Sequence, residues 1–257
     1  MSQGIHRLTR ARAVMGCLAT LECVSRDAAS ALVGVEAAFA ALSQVDRLMH
    51  PTRAESDLAR LNTAADGDRI AIHPWTGAVL RLCLKLNTLS RGSFEPALPG
   101  CGSIRQLRLL STRRVLVRKA VQLDLGGIAK GYAVDQAIRR MKAAGARAGL
   151  VNAGGDMRVF GHMAWPIMVR LGTRGLEPLA LRNAAIAVSD PGASGHPREH
   201  QGYRAPGITS AIEPPGLAVQ ARSAALADGM TKVLMFAPAA SRSRLLRQTR
   251  TRLLAIT

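Results

Sequence analysis

The chain has 257 residues, of which 48% are hydrophobic and 3% aromatic, and its net charge is +18. A chain of this length buries roughly three quarters of the surface that its unfolded form exposes, so we expect a large core built mainly from Ala, Leu and Val. No uninterrupted apolar stretch reaches the ~18 residues of a membrane-spanning helix, so we expect no membrane span. The four cysteines lack metal-type spacing, which argues against a zinc site and fits reduced thiols.

The excess of basic residues is the largest departure from an average composition. The chain has 35 Lys and Arg against 17 Asp and Glu, a balance that attracts polyanions and makes nucleic-acid binding the rival function class. The basic residues form no repeated motif, and aromatic side chains for base stacking are scarce. Arg-rich usage from a GC-rich genome accounts for them, so we do not expect a nucleic-acid partner.

A basic segment, MSQGIHRLTRAR, opens the chain. We interpret residues 1–12 as a tail that precedes a single domain over residues 13–257. Only four residues separate Arg12 from Cys17, whereas the apolar region of a signal peptide needs roughly 7–15. We therefore expect a cytoplasmic protein rather than an exported one.

The first half of the chain reads as helices and short strands. Apolar residues at three- and four-residue spacing predict a long helix over Asp27–Met49, and Ser56 is a suitable cap for a short one. The predicted elements are a strand at Ala13–Val24, helices at Asp27–Met49 and Ser56–Asn62, a helix from Pro74 to just before Gly92, and strands at Leu107–Leu110, Val115–Val117 and Val121–Asp124.

The second half alternates irregularly between helices and strands. Its predicted helices are Ile128–Ala144, Ala224–Phe236 and Ala239–Gln248, and its predicted strands are Leu150–Ala153, Met157–Phe160, Pro166–Leu171, Ala184–Val188, Leu217–Ala221 and Arg252–Ile256. Residues Ser189–Pro215 are rich in Pro, Gly, Ser and His and read as a long loop. Several direct strand-to-strand steps favour an α+β fold with a mixed or antiparallel sheet.

Two clusters of acids and glycines bracket the helix Ile128–Ala144. Bare glycine backbone can approach a phosphate or a metal closely, and a helix N-terminus adds positive potential. Two ordinary turns would use glycine for the same conformational reason, so spacing alone leaves both interpretations open. The clusters consist of Asp124, Gly126, Gly127 and Lys130 before and at the helix start, and of Asn152, Gly154, Gly155 and Asp156 after it.

A third segment makes the pattern specific. DLGGIAKGYAVD, VNAGGD and ADGMTKV at Ala227–Val233 together resemble the ApbE-like family, the FAD:protein FMN transferases. Weaker matches are Met15–Cys17, Ser56–Asn62 and Phe94–Pro96. The resemblance spans Met15 to the C-terminus and describes a divergent member.

The resemblance implies an α+β fold and a Mg²⁺-dependent transfer of FMN from FAD to a threonine hydroxyl of a partner protein, with release of AMP. It implies magnesium ligands at the Gly127 carbonyl, Asp228 and Thr231. Asp228 and Glu213 are candidates for the catalytic groups. The candidate FAD-binding residues are Met15, Asp124, Lys130, Asn152, Gly154, Gly155 and Asp156. A divergent FAD-binding protein without transferase activity, and a basic nucleic-acid-associated protein, stay as alternatives.

Two departures from the family pattern bear on this expectation. Threonine usually follows the metal-binding acid by four residues, whereas here Thr231 comes one residue early and Lys232 holds the fourth position. Lys232 could itself supply the positive charge of the metal, or the chain could use the shifted threonine. The family's histidine and aspartate of a later segment are Ser210 and Glu213 here, so the general base stays open among Glu213, Asp228 and Asp156.

Overall fold

The computed structural model describes residues 5–171, 174–175, 178–190 and 216–256. Over these residues the helices are α1 Ala28–Met49, α2 Asp57–Asn62, α3 Pro74–Leu89, α4 Gly126–Ala143, α5 Ala224–Phe236 and α6 Ala239–Thr249. The strands are β1 His6–Val14, β2 Cys17–Ser25, β3 Arg69–Ala71, β4 Leu107–Ser111, β5 Arg114–Val117, β6 Ala148–Ala153, β7 Asp156–Phe160, β8 Trp165–Ile167, β9 Arg170–Leu171, β10 Arg174–Gly175, β11 Leu179–Leu181, β12 Ala185–Ser189, β13 Leu217–Ala221 and β14 Arg252–Ile256.

A seven-stranded sheet forms the centre of the molecule. Its strand order is β1-β2-β6-β7-β12-β13-β14, and each neighbouring pair runs antiparallel. Smaller sheets pair β3-β5-β4, β8 with β11, and β9 with β10. The prediction of an α+β fold with a mixed or antiparallel sheet is confirmed, in its antiparallel form.

Both faces of the central sheet are covered. Helices α1, α4 and α5 pack against one face, where Val151 and Ala153 of β6 belong to the main core. Leu150, which points to the opposite face because side chains alternate along a strand, packs in a second cluster with Trp165 and Ile167 of β8. The helix-covered face is the one that carries the candidate site.

Helix α1 is long and apolar enough, by length and composition, to cross a membrane, and it is the one described helix that meets this test. Its buried residues include Val35, Leu42 and Val45, and it packs against α4 and β2. Packing inside the protein therefore accounts for these buried residues, whereas Leu32 and Val33 of the same helix are exposed.

A smaller region built from α2, α3 and β3–β5 adjoins the sheet. Leu58, Leu80 and Val115 of this region belong to the same core cluster as the helix-covered face of the central sheet. The buried Glu95 carboxylate organises its loop by accepting hydrogen bonds from Ile104 N at 2.9 Å and from the Ser103 hydroxyl at 2.7 Å. The core is thus continuous, and the assignment of residues 13–257 to a single domain stays a prediction.

The N-terminal segment differs from expectation. Residues 6–12, expected to be a tail, are part of β1, and the expected strand Ala13–Val24 is the end of β1, a turn and most of β2. Met15 and Gly16 form the turn with φ of 55° and 70°, a two-residue hairpin geometry. The sequence pattern does not predict β1, because it is an exposed edge strand without alternating apolar residues.

Three other elements differ from expectation. Val121–Asp124 is not a strand but contributes one isolated bridge, between Leu123 and Ala97. Arg69–Ala71, for which no element is predicted from the sequence, pairs with β5 as β3. The expected strand Pro166–Leu171 is divided between β8 and β9. These segments are short, so their backbone pairing depends on distant residues rather than on local periodicity. Most of the expected loop Ser189–Pro215 lies outside the described residues.

Candidate functional site

A cavity of about 470 Å³ opens on the helix-covered side of the sheet. Its walls come from the β1–β2 turn, the end of α1, the first turn of α4 and one residue of α5. The volume lies within the range of about 300–1,000 Å³ typical of small-molecule sites. Met15, Asp124, Gly127 and Lys130, four of the residues predicted from the sequence, line it.

A tight turn before α4 fixes the start of this helix beside the cavity. Asp124 Oδ1 accepts a hydrogen bond from Gly126 N at 2.7 Å, and the N-cap residue Leu125 contributes no side-chain cap. Both interpretations of Asp124 therefore apply at once, since it fixes the turn and also faces the cavity. The helix N-terminus adds positive potential, and Lys130 adds a full positive charge one turn later.

The second glycine pair forms the turn between β6 and β7. Gly154 and Gly155 adopt φ of 61° and 95°, and Asn152 Oδ1 accepts from Gly155 N at 3.1 Å. A side chain at Gly154 would meet the Cβ and Sγ atoms of Cys17 at 3.2 and 3.3 Å, so this turn packs directly under the β1–β2 turn. Asn152, Gly154 and Gly155 are not among the described residues that line the cavity. Their turn packs against Cys17, which does line it.

Lys232 connects the cavity to a buried acid on α5. Its Nζ atom lies 3.4 Å from Asp228 Oδ1 and 3.2 Å from Thr231 Oγ1. Asp228 Oδ2 accepts from Gly131 N of α4 at 3.2 Å, and the Thr231 hydroxyl donates to the Asp228 carbonyl oxygen at 2.7 Å. Lys232 lines the cavity, whereas Asp228 and Thr231 lie behind it, 2% and 0% exposed.

Asp156 extends this cluster from the sheet side. Burial holds the pKa of its carboxyl well above the usual range, and the negative charge of Asp228 raises it further, while Lys130 and Lys232 lower it. Asp156, Asp228, Lys130 and Lys232 therefore form one electrostatic group of two acids and two lysines. The sequence predicted three of these residues as functional and noted Lys232 as a departure.

Cys17 follows the β1–β2 turn and lies against Gly154 in the turn between β6 and β7. Its thiol donates to the Val14 carbonyl oxygen at 3.3 Å, and burial raises its pKa, an effect that the nearby Lys130 partly offsets. The cavity is also lined by Cys17, Asp46 and His50, which are not among the site residues predicted from the sequence. No local motif marks Asp46 and His50; only the packing of α1 beside α4 brings them there.

The predicted magnesium ligands do not form an open metal site. Mg²⁺ requires oxygen ligands at about 2.0–2.1 Å in near-octahedral geometry, yet the Lys232 ammonium contacts both the Asp228 carboxylate and the Thr231 hydroxyl. The donors present do not fit a resident Mg²⁺.

Of the two predicted catalytic residues, Asp228 lies within the described residues and Glu213 does not. Asp228 is engaged by Gly131 and Lys232, as above. Glu213, together with Ser210, falls within residues 191–215, which lie outside the described residues.

Comparison with solved structures agrees with this architecture. The flavinyl transferase ApbE of Pseudomonas stutzeri, in its apo form, superposes with a TM-score of 0.79 at 20% identity, covering 97% of this chain and 90% of that one. The flavin transferase ApbE of Vibrio cholerae gives a TM-score of 0.79 at 18% identity, covering 97% and 93%. At such identities the likeness shows a shared fold.

Two sequence relatives carry the name FAD:protein FMN transferase. The one from Treponema pallidum (strain Nichols) is 26% identical over 190 residues, which are 61% of this chain and 52% of that protein. The one from Rhodobacter capsulatus is 30% identical over 149 residues, 46% of this chain and 28% of that protein. The matched region thus spans about half of one relative and about a quarter of the other.

The family-level match is broader than either relative. The sequence pattern of the ApbE family matches residues 15–103 and 97–257, which together include all three segments that carry the resemblance. The chain belongs to the ApbE family.

Proposed function

We propose that this chain binds FAD and transfers its FMN part to a threonine hydroxyl of a partner protein, releasing AMP. The observation that carries the proposal is the cavity at the start of α4, where Lys130, Lys232 and a helix N-terminus face the same space. A pyrophosphate is the part of FAD that such positive potential suits best.

In the proposed reaction the threonine Oγ attacks the phosphorus atom on the FMN side of the pyrophosphate. A new Oγ–P bond forms, the P–O bond to AMP breaks, and AMP leaves with the bonding electrons. Lys130 and Lys232 would oppose the charge that develops on the phosphate oxygens, while the turn fixed by Asp124 orients the helix start.

Three finer points stay predictions. The threonine proton needs an acceptor, for which Glu213, Asp228 and Asp156 are the candidates. Magnesium dependence follows from the family resemblance, and the contacts of Lys232 argue against it. The cytoplasmic location rests on sequence alone.

FAD titration followed by mass spectrometry tests this function. We expect saturable quenching of flavin fluorescence in the micromolar range, and then a mass increase of one FMN on a peptide that contains the acceptor threonine. Binding without transfer would support the alternative of a flavin-binding protein, and absence of binding would contradict both.

A matched pair of lysine variants on α4 locates the site. Lys130→Met removes the charge at the cavity and should weaken FAD binding by about tenfold to a hundredfold, the usual value of a charged hydrogen bond. Lys142→Met removes an exposed lysine from the other end of the same helix and should leave FAD affinity unchanged. Equal effects of the two substitutions would contradict this placement.

A further inference from the structure

A lysine ammonium contacts both side-chain oxygens that the sequence predicts as magnesium ligands. Lys232 Nζ is within 3.4 Å of Asp228 Oδ1 and 3.2 Å of Thr231 Oγ1, the two side-chain oxygens that could ligate a cation from α5. We infer that Lys232 supplies this charge permanently and that the site works without a divalent metal. The metal-free site is inferred from these contacts alone, and its use on FAD rests on the proposed function.

Lys232 is held in this position by the helix that carries it. It follows Asp228 by four residues, a spacing that places the two side chains on one face of α5. Its side chain is 8% exposed and that of Asp228 is 2% exposed, so little water separates the two charges. A cation bound to the same oxygens would meet the ammonium at short range, in a region where like charges repel strongly.

The charge balance of the cluster agrees with this arrangement. Asp156 and Asp228 provide at most two negative charges, and Lys130 and Lys232 provide two positive ones. Two lysines thus face two acids, so the four side chains offer no excess negative charge to a divalent ion. Without Lys232, the buried Asp228 carboxylate would lose the ammonium beside it, which is the condition under which a cation binds.

The position of Lys232 also directs its charge toward the cavity. The side chain lines the cavity together with Lys130, so one lysine from α4 and one from α5 face the same space. An anionic ligand in the cavity would then meet two fixed ammonium groups. The carboxylate of Asp228 acts on that ligand through Lys232, as a positioning residue.

Titration calorimetry with Mg²⁺ alone tests the inference directly. The wild-type protein should show no saturable Mg²⁺ binding below about millimolar concentrations. Lys232→Thr places a neutral oxygen beside Asp228 and Thr231 and should create Mg²⁺ binding, whereas Lys232→Met removes the charge without adding a ligand and should create less. Saturable Mg²⁺ binding by the wild type would overturn the inference, whether or not FAD binds.

FAD affinity measured with Mg²⁺ and with EDTA provides the second readout. We expect a wild-type affinity that differs by less than about twofold between the two conditions. In Lys232→Thr we expect an affinity at least about tenfold weaker in EDTA and largely restored by Mg²⁺. A wild type that loses FAD in EDTA would contradict the metal-free site while supporting FAD binding.

Failure of the proposed function has a different signature. If no variant binds FAD in either condition, the proposed function is contradicted, and the Mg²⁺ titration still decides the metal-free site. Far-UV circular dichroism of each variant, with Lys142→Met as the unaffected reference, excludes loss of folding as the cause of a weaker signal.

Discussion

Cys17 lies where the β1–β2 turn meets the turn between β6 and β7. It lines the cavity, and it contacts the position where Gly154 would carry a side chain. Its raised pKa keeps the thiol protonated at neutral pH, so proximity to the cavity does not make it a reactive nucleophile. Cys17 is therefore a reporter of the site rather than a participant in the chemistry.

Alkylation of Cys17 should be slow at neutral pH and should be suppressed by FAD. Because the pKa is raised, the thiolate fraction increases only at higher pH than for a free cysteine, and the rate should follow it. Lys130→Met should slow the reaction further, since Lys130 lowers this pKa. Mass spectrometry after iodoacetamide treatment measures each site separately. Cys101, half-buried and not among the cavity-lining residues, is the internal control, and FAD protection of both cysteines would contradict the placement.

Sequence could identify single residues only where chemistry and spacing coincide. Lys130 was recognisable because a cation near the start of a helix is disfavoured unless an anion is near. Asp46, by contrast, looks like any acid on a solvated helix face, and it pairs with Arg53 at 3.2 Å. Its position at the cavity follows from helix packing, which no local pattern encodes.

Among the elements, the long helices were predictable and the edge strands were not. α1 and α5 carry apolar residues at helical spacing and have side-chain caps, Asp27 and Ser223. β1 and β3 are exposed segments that are strands only because their backbones pair with β2 and β5, respectively. β3 pairs with residues distant in the chain, and β1 lacks alternating apolar residues, so the strand signal is absent from their own sequence.

The contact between α4 and α5 sets the geometry of the acid–lysine cluster. Gly131 lies so close to α5 that an added Cβ would be 2.4 Å from the Ala224 carbonyl oxygen. The same glycine donates its N–H to Asp228 Oδ2. Glycine is therefore required here by close approach and not by backbone conformation.

Gly131→Ala should destabilise the protein by about 1–3 kcal/mol, because the new methyl group meets backbone that cannot yield without moving a helix. Gly229→Ala is the matched control within a helix. Its methyl group would lie 2.5 Å from Leu86 Cδ1 and 3.3 Å from Ile128 Cδ1, terminal side-chain atoms that can move, whereas backbone cannot. Alanine gains about 1 kcal/mol of helix propensity at either position. Urea unfolding compares the two free energies. A smaller loss for Gly131→Ala than for Gly229→Ala would contradict the close-contact explanation.

At the scale of the whole molecule, the net charge of +18 dominates the long-range field. Some arginines are paired, as in Arg12 with Glu36 and Arg158 with Asp135. The 17 acids cannot offset 35 basic residues, so much of the positive charge stays on the surface. Exposed basic residues occur on elements of different sheets and on a helix, for example Arg10 of β1, Arg108 of β4, Arg114 of β5 and Arg247 of α6.

This distribution predicts binding to nucleic acid that depends on charge alone. A surface that neutralises about six to ten phosphates by counterion release should lose about three to five decades of duplex affinity between 50 and 200 mM salt. FAD offers far fewer charges and fits a defined cavity, so its affinity should fall much less over the same range. Fluorescence anisotropy with two labelled duplexes of unrelated sequence, alongside FAD titration at each salt concentration, measures both. Duplex binding that discriminates between the sequences and persists at 200 mM salt would favour the nucleic-acid class, because counterion release carries no sequence information.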